Sequence, residues 1–133
     1  MRLVHLSDLH LGFRQYQRLT TRGINQREWD VADAFRRAID RTIAIAPQLV
    51  VVAGDVFHNV RPTNAAILQA YRQFSRLRSA LPDADVVICA GNHDTTRTVE
   101  VGGIIGLFRE LVIHVADGKA ERFHLERLGC SVL

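Results

Sequence analysis

Three short polar motifs, each directly after an apolar run, could together bind metal ions and move protons. Asp8 and His10 follow the first run, Asp55 follows the second, and the tetrapeptide Gly-Asn-His-Asp at 91–94 follows the third. Ligands of open α/β sheets bind beyond the carboxyl ends of the strands. The three motifs therefore predict one site at that edge of a sheet.

The residue types predict a site for two metal ions. Asp8 and His10 can both grip one ion if they sit at a strand-to-loop bend, and Asp55 can place one oxygen on each of two ions. Asn92 offers an amide oxygen to the second ion. Such mixed ligands favour manganese, iron or zinc, and magnesium also fits. Two ions roughly 3.5–4 Å apart can clamp a phosphate and activate a water, so the motifs predict phosphoester hydrolysis.

The remaining polar residues of the motifs have a predicted role at the phosphate. His93, with Asp94 as its carboxylate partner, can stabilise charge at phosphorus or protonate the leaving oxygen. His58, three residues after Asp55, is a second candidate for phosphate contact. Each residue alone is more simply a turn or surface residue, but their joint occurrence after three strands favours the site. The other histidines are interpreted as structural: His5, His114 and His124.

The elements that must position these motifs alternate between strand and helix. The sequence predicts strands at 2–7, 49–53, 85–90 and 112–115, helices at 28–46, 63–80 and 102–111, and short strands at 122–125 and 130–133. The continuous β-branched run at 49–53 is typical of a parallel strand covered on both faces. This order predicts an α/β domain with a mainly parallel sheet.

Composition narrows the class of protein. The chain has 133 residues, of which 47% are hydrophobic and 23% charged. This length and composition predict one globular domain. No apolar run approaches the ~20 residues of a membrane span, and the N-terminus lacks the order of a signal peptide, so we expect a cytoplasmic protein without a membrane anchor. The two cysteines do not form a disulfide framework.

The positive charge is almost entirely arginine. The formal net charge is +3, and Lys119 is the only lysine. Arginines crowd the first loop and follow the second and third motifs, where they could ring a phosphate-backbone groove or form an ordinary solvated surface. The candidates for contact with nucleic acid are Arg14, Arg18, Arg61 and Arg97.

The motifs resemble those of the calcineurin-like metallophosphoesterase superfamily, whose fold is an α/β/β/α sandwich. Residues 6–12 (Leu-Ser-Asp-Leu-His-Leu-Gly), residues 53–58 (Ala-Gly-Asp-Val-Phe-His) and Arg-Gln-Tyr at 14–16 are most similar to the SbcD-type nuclease subunits of DNA double-strand-break repair complexes. The resemblance covers essentially the whole chain. It implies the N-terminal part of a nuclease domain over 1–133, holding the first βαβαβ half of the fold.

The resemblance also implies an activity, cofactors and partners. It implies a manganese-preferring DNA exonuclease and endonuclease that forms a homodimer. It also implies a partner protein, an SbcC-type SMC-like ABC ATPase. The implied metal ligands are Asp8, His10, Asp55 as the bridge, and Asn92. The implied catalytic group is His93 with Asp94, assisted by His58.

One departure from the family pattern predicts reduced activity. The family completes its site with a further histidine and a Gly-His-x-His motif, and nothing after Asp94 fits either. We therefore expect the 133 residues to bind metal weakly and to cleave DNA little. Two other functions stay open: a phosphoesterase acting on nucleotides or phosphoproteins, and a non-catalytic scaffold with the same fold.

Overall fold

A computed structural model describes residues 1–94 and 103–133. Its elements alternate as the sequence predicts, and the α/β class is confirmed. The bounds are β1 Leu3–Leu6, α1 Gln26–Ile45, β2 Leu49–Ala53, α2 Asn64–Ala80, β3 Asp85–Cys89, a 3₁₀ helix Ile104–Leu111, β4 His114–Ala116, β5 Phe123–Leu125, a short 3₁₀ helix Glu126–Leu128, and β6 Cys130–Val132.

The first four strands form one parallel sheet in the order β1-β2-β3-β4. Val52 pairs with Leu6 on one side and with Ile88 on the other. Because side chains alternate between the faces of a strand, the register places these three residues on the same face. Because the strands pair in parallel, the carboxyl ends of all four lie at the same edge of the sheet.

The main core lies between this face of the sheet and the helices. Phe74 on α2 is fully buried, with its ring 5.3 Å from that of Phe35 on α1 and 4.8 Å from that of Phe108 on the 3₁₀ helix. Both contacts are edge-to-face, the arrangement that aromatic quadrupoles favour. One phenyl ring thus joins the three helical elements that cover the sheet.

Side-chain caps fix the starts of both long helices. The Asn25 side chain accepts hydrogen bonds from the backbone N–H groups of Arg27 and Glu28, so α1 begins at Gln26, two residues before the predicted start. Thr63 accepts from the N–H of Ala66, so α2 begins at Asn64, one residue after the predicted start. Trp29 fits the apolar spacing of α1 with Phe35 and Ile39, yet it is 47% exposed and Glu28 is buried instead.

A hairpin covers part of the opposite face of the sheet. Strands β5 and β6 pair antiparallel, which confirms the two short strands predicted near the end of the sequence. Leu125 of this hairpin packs in a second buried cluster with Leu49 and Val87. The central strands are therefore covered on both faces, as their continuous apolar runs predicted.

The connection into β4 differs from the prediction. Residues 104–111 form a 3₁₀ helix instead of an α-helix, and the predicted start at Gly102 lies outside the described residues. Val112 adopts a left-handed conformation with φ 56°, and its N–H donates to the Arg109 carbonyl. A left-handed residue ends the helix and cannot continue a strand, so β4 begins at His114 instead of Val112.

We expect Phe74→Ala to lower the free energy of unfolding by about 3–5 kcal/mol, because it opens a cavity where the three helical elements meet. Urea unfolding followed by circular dichroism measures the change. Leu68→Ala on the same helix is the control, since Leu68 is 52% exposed. Truncation of such a surface residue should change the free energy of unfolding by no more than about 0.5 kcal/mol. Equal losses in the two variants would contradict this account of the core.

Candidate metal centre

The loops after β1 and β2 are joined by backbone hydrogen bonds. The N–H of Asp8 donates to the Gly54 carbonyl at 3.2 Å, and the N–H of His10 donates to the Asp55 carbonyl at 2.9 Å. The N–H of Leu11 continues the ladder to the Val56 carbonyl at 2.9 Å. The first two sequence motifs are thus held side by side beyond the ends of their strands.

Three predicted metal ligands adopt left-handed backbone conformations. The φ angles are 54° at Asp8, 45° at His10 and 51° at Asp55. Residues other than glycine rarely occupy this region, and such strained positions concentrate at functional sites. The ladder between the loops holds the backbone in this conformation, which turns each side chain out of the strand direction.

The side chains of these three residues converge. His10 Nε2 lies 3.9 Å from Asp8 Oδ1 and 3.9 Å from Asp55 Oδ2, and one ligand atom from each residue lies within 4.8 Å of the other two. Asp55 is buried, His10 is half-buried and Asp8 is exposed. Two carboxylates and an imidazole form a set of donors that fits a divalent first-row ion. Asp8, His10 and Asp55 would hold it.

The third loop reaches this set through Asp55. Asp55 Oδ1 accepts a hydrogen bond from the backbone N–H of His93 at 2.9 Å, while Oδ2 is the oxygen near His10. Asn92 precedes His93 in a turn closed by the Asp94 N–H on the Gly91 carbonyl, and it is exposed. The bridging role of Asp55 and the amide contact of Asn92 stay predictions.

Gly91 is required by the close approach of two loops. A Cβ at this position would lie 2.0 Å from Asp55 Oδ1 and 2.3 Å from the Asp55 backbone nitrogen. Any side chain here would displace the carboxylate that predicted metal binding needs. The position of Gly91 after the third apolar run does not indicate this contact.

Asp94 has a different environment from the predicted one. Its carboxylate is fully buried and accepts hydrogen bonds from the backbone N–H groups of Val56 at 3.0 Å, Phe57 at 2.9 Å and Gly91 at 3.1 Å. A carboxylate without exposed surface cannot contact a phosphate. The structure therefore assigns Asp94 to holding the second and third loops together, instead of to the His93 ring.

The His93 ring has a carbonyl as its partner. His93 Nδ1 lies 2.7 Å from the backbone oxygen of His58. A carbonyl oxygen only accepts hydrogen bonds, so Nδ1 carries a proton. Nε2 is then the nitrogen left to exchange a proton or bind an ion. A backbone carbonyl therefore takes the place predicted for the Asp94 carboxylate as the partner of this ring, and it fixes the tautomer.

His58 lies against His93 in the same cluster. The two rings are stacked with centroids 5.3 Å apart, and Phe13 meets the His58 ring edge-on at 4.8 Å. Burial, and then the neighbouring His10 and His93, lower the pKa of His58 below its ordinary value. Phe13 is not predicted at the site, because nothing in its local sequence separates it from a core aromatic residue.

The predicted arginines have separate outcomes. Arg14 donates from Nε to Glu28 Oε2 at 2.7 Å, so it braces the first loop against α1. Arg18 and Arg61 are exposed, and Arg97 lies outside the described residues. Contact of these residues with nucleic acid stays a prediction.

The histidines interpreted as structural lie outside the cluster. His114 Nε2 is 3.8 Å from Asp85 Oδ1 and its ring is 5.1 Å from that of Phe123. His124 Nδ1 is 3.3 Å from Ser131 Oγ on the hairpin, and His5 is exposed on β1. Neither potential metal-binding group among residues 1–94 and 103–133 includes any of the three.

This fold and site define a class of protein. The family model for calcineurin-like phosphoesterases matches residues 1–130, and the chain belongs to that family. The resemblance to metal-dependent phosphoester hydrolases inferred from the three motifs is confirmed. Across the described residues, no helix has the length and apolar character that a membrane crossing requires.

The chain is also similar to several DNA double-strand break repair proteins named Mre11. It is 34% identical to that of Methanocaldococcus jannaschii over 119 residues, which cover 90% of this chain and 30% of the relative. It is 36% identical to that of Sulfolobus acidocaldarius over 100 residues, covering 75% and 24%. The chain thus spans less than a third of the length of these relatives.

We expect Asp94→Asn to lower the free energy of unfolding by about 2 kcal/mol or more, because a carboxamide cannot accept three N–H groups as a carboxylate does. Asp8→Asn is the matched control, since the Asp8 side chain is 67% exposed. Asparagine also tolerates the left-handed backbone of that position. Urea unfolding in the presence of a chelator compares the two. A loss in Asp8→Asn as large as in Asp94→Asn would contradict the assignment.

We expect the free energy of unfolding of the metal-free chain to fall as the pH drops below the ordinary histidine pKa of about 6.5. The lowered pKa of folded His58 means that the unfolded chain binds more protons there, so acid favours unfolding until the folded pKa is reached. His58→Asn should show a shallower decline in urea unfolding between about pH 7.5 and about pH 5.5. His124→Asn should keep the wild-type slope; equal slopes in all three proteins would exclude His58 as the cause.

Proposed function

We propose that this chain supplies the metal-binding and proton-transfer core of a manganese-dependent phosphodiesterase that acts on DNA in double-strand-break repair. The convergence of Asp8, His10 and Asp55 with His93 at one edge of the sheet carries the proposal. The similarity to proteins named for DNA double-strand break repair supports DNA as the substrate. We extend this to exonuclease and endonuclease action on DNA ends and hairpins.

The residues at the metal centre have separate parts in such hydrolysis. Bound divalent ions would supply Lewis acidity at the phosphate and lower the pKa of a water. His93 keeps Nδ1–H on the His58 carbonyl, so with the ring doubly protonated its Nε2–H would deliver a proton to the leaving oxygen and leave the neutral imidazole. Asp55 holds the His93 backbone through Oδ1, which couples the position of the proton donor to that of the metal ligand.

The partners are proposed from the same similarity. We infer that this chain binds DNA, a second copy of itself and an SbcC-type SMC-like ABC ATPase, and that it does so in the cytoplasm. The apolar residues at 104–108 would suit helix packing across a dimer, but Ile105 and Phe108 are fully buried in the core, with Ile104 and Leu107 packed against it. These four residues therefore give no separate support for the homodimer.

We expect His93→Asn to lower kcat for Mn²⁺-dependent DNA cleavage by about 10²–10⁴-fold with little change in Mn²⁺ affinity, since it removes proton transfer and keeps the ligands. Asp55→Ala should abolish both binding and cleavage. End-labelled duplex and hairpin DNA measure cleavage, and the Mn²⁺ EPR signal measures binding, with His124→Asn as the control. Loss of Mn²⁺ binding in His93→Asn would contradict its assignment to proton transfer.

These measurements should be made on the 133 residues and on a longer polypeptide that continues to a Gly-His-x-His motif. We propose that the 133 residues alone bind metal weakly and cleave little, because nothing after Asp94 fits that motif. Robust cleavage by the short chain that Asp55→Ala abolishes would overturn this part. Absence of Asp55-dependent cleavage in the longer chain would overturn the nuclease.

Two other functions give different outcomes in the same assays. A phosphoesterase for nucleotides or phosphoproteins would hydrolyse small phosphoesters and show no salt-sensitive DNA binding, whereas contact with the phosphate backbone falls steeply with salt. A non-catalytic scaffold would bind no Mn²⁺ between Asp8 and Asp55. The convergence of intact ligand and proton-transfer residues favours an enzyme over the scaffold.

A further inference from the structure

The metal centre contains a second group of possible ligands made only of imidazoles. Ring centroids of His10, His58 and His93 form a nearly equilateral triangle with sides of 5.4, 5.1 and 5.3 Å. One ring nitrogen from each residue lies within 4.8 Å of the other two. In a tetrahedral zinc site with Zn–N of about 2.0–2.1 Å, ligand nitrogens are about 3.3 Å apart, so modest side-chain rotation closes the triangle.

The hydrogen bonding of these rings leaves nitrogens available. His93 donates Nδ1–H to the His58 carbonyl, the outer contact that metal-bound histidines commonly make, and this leaves Nε2 for an ion. His10 Nδ1 and His58 Nδ1 are buried and have no hydrogen-bond partner among the described residues. Buried ring nitrogens without protein partners are uncommon, and they generally serve an ion, an ordered water or a reaction.

We propose that His10, His58 and His93 form an imidazole-only site for a late first-row divalent ion such as Zn²⁺, Ni²⁺ or Cu²⁺. Imidazole ligands suit these ions, whereas carboxylate and amide oxygens suit Mn²⁺ and Mg²⁺. His10 belongs to both sets, so an ion that uses His10 Nε2 in the imidazole set competes with an ion on Asp8 and Asp55. One edge of the sheet therefore offers two alternative occupancies with different metal preferences.

The proposed site has a consequence for catalysis. An ion on His93 Nε2 occupies the nitrogen that would protonate the leaving oxygen, so it blocks hydrolysis. This consequence rests on the proposed function, whereas the binding of the ion does not. Binding of the ion is therefore tested without a cleavage assay.

The two donor sets can be separated by variants that each change a residue of one set. Zn²⁺ binding to the 133-residue chain is measured by calorimetric titration, and Mn²⁺ binding by EPR titration. His58→Asn should weaken Zn²⁺ binding by about 10-fold or more and leave Mn²⁺ affinity unchanged, and Asp8→Asn should do the reverse. His10→Asn should weaken both, and His5→Asn, outside both sets, should weaken neither. Zn²⁺ binding that depends on Asp8 and not on His58 would overturn the proposal.

A measurement on the unsubstituted chain guards against variants that fail to fold. Proton–nitrogen correlation spectra of the histidine rings should show that Zn²⁺ shifts the ring nitrogens of His10, His58 and His93. The rings of His5, His114 and His124 should stay unchanged. A shift confined to His10 would place the ion on the carboxylate set and overturn the imidazole-only site.

Discussion

The buried carboxylate of Asp94 is the constraint on which the rest of the site depends. It accepts N–H groups from Val56 and Phe57 after β2 and from Gly91 after β3, so one side chain connects two loops that are far apart in sequence. A carboxylate removed from water is costly unless donors replace its hydration. Three backbone donors do so. A loop arrangement that left the carboxylate or one of these buried N–H groups unpaired would be destabilised by the cost of desolvating that group.

The ligand geometry follows from this connection and from the ladder between the first two loops. Asp8, His10 and Asp55 are held in left-handed conformations that an isolated loop would leave. Backbone hydrogen bonds across the loops, and the Asp55 carboxylate on the His93 N–H, keep them there. The site is thus pre-organised by main-chain contacts, and the aromatic core beneath the sheet gives those loops rigid ends.

The functional consequence is that ligand and proton-transfer groups share supports. His93 is positioned at its backbone by Asp55 and at its ring by the His58 carbonyl, so displacement of the second loop would disturb both roles. The same crowding brings three imidazoles together beside the carboxylates. Selectivity between manganese and later first-row ions would then depend on which of two overlapping donor sets holds the ion.

Much of the fold could be predicted because apolar periodicity and capping residues act locally. The β-branched run of β2 and the Thr63 cap of α2 correspond to the observed elements. By contrast, β4 begins later than predicted because Val112 is left-handed, a conformation that its residue type does not indicate. Trp29 fits the apolar stripe of α1 but remains half exposed, since packing against the first loop buries Glu28 instead.

For the site, the sequence by itself determined which residues follow each strand and therefore that Asp8, His10, Asp55 and His93 would meet. Parallel strands force that meeting, because their carboxyl ends share one edge. Only the tertiary structure decided that Asp94 serves the backbone, that a carbonyl orients His93, and that Gly91 is needed by Asp55. Those contacts join residues far apart in the chain, and hydrogen-bond partners across such distances depend on loop geometry, which local sequence patterns do not encode.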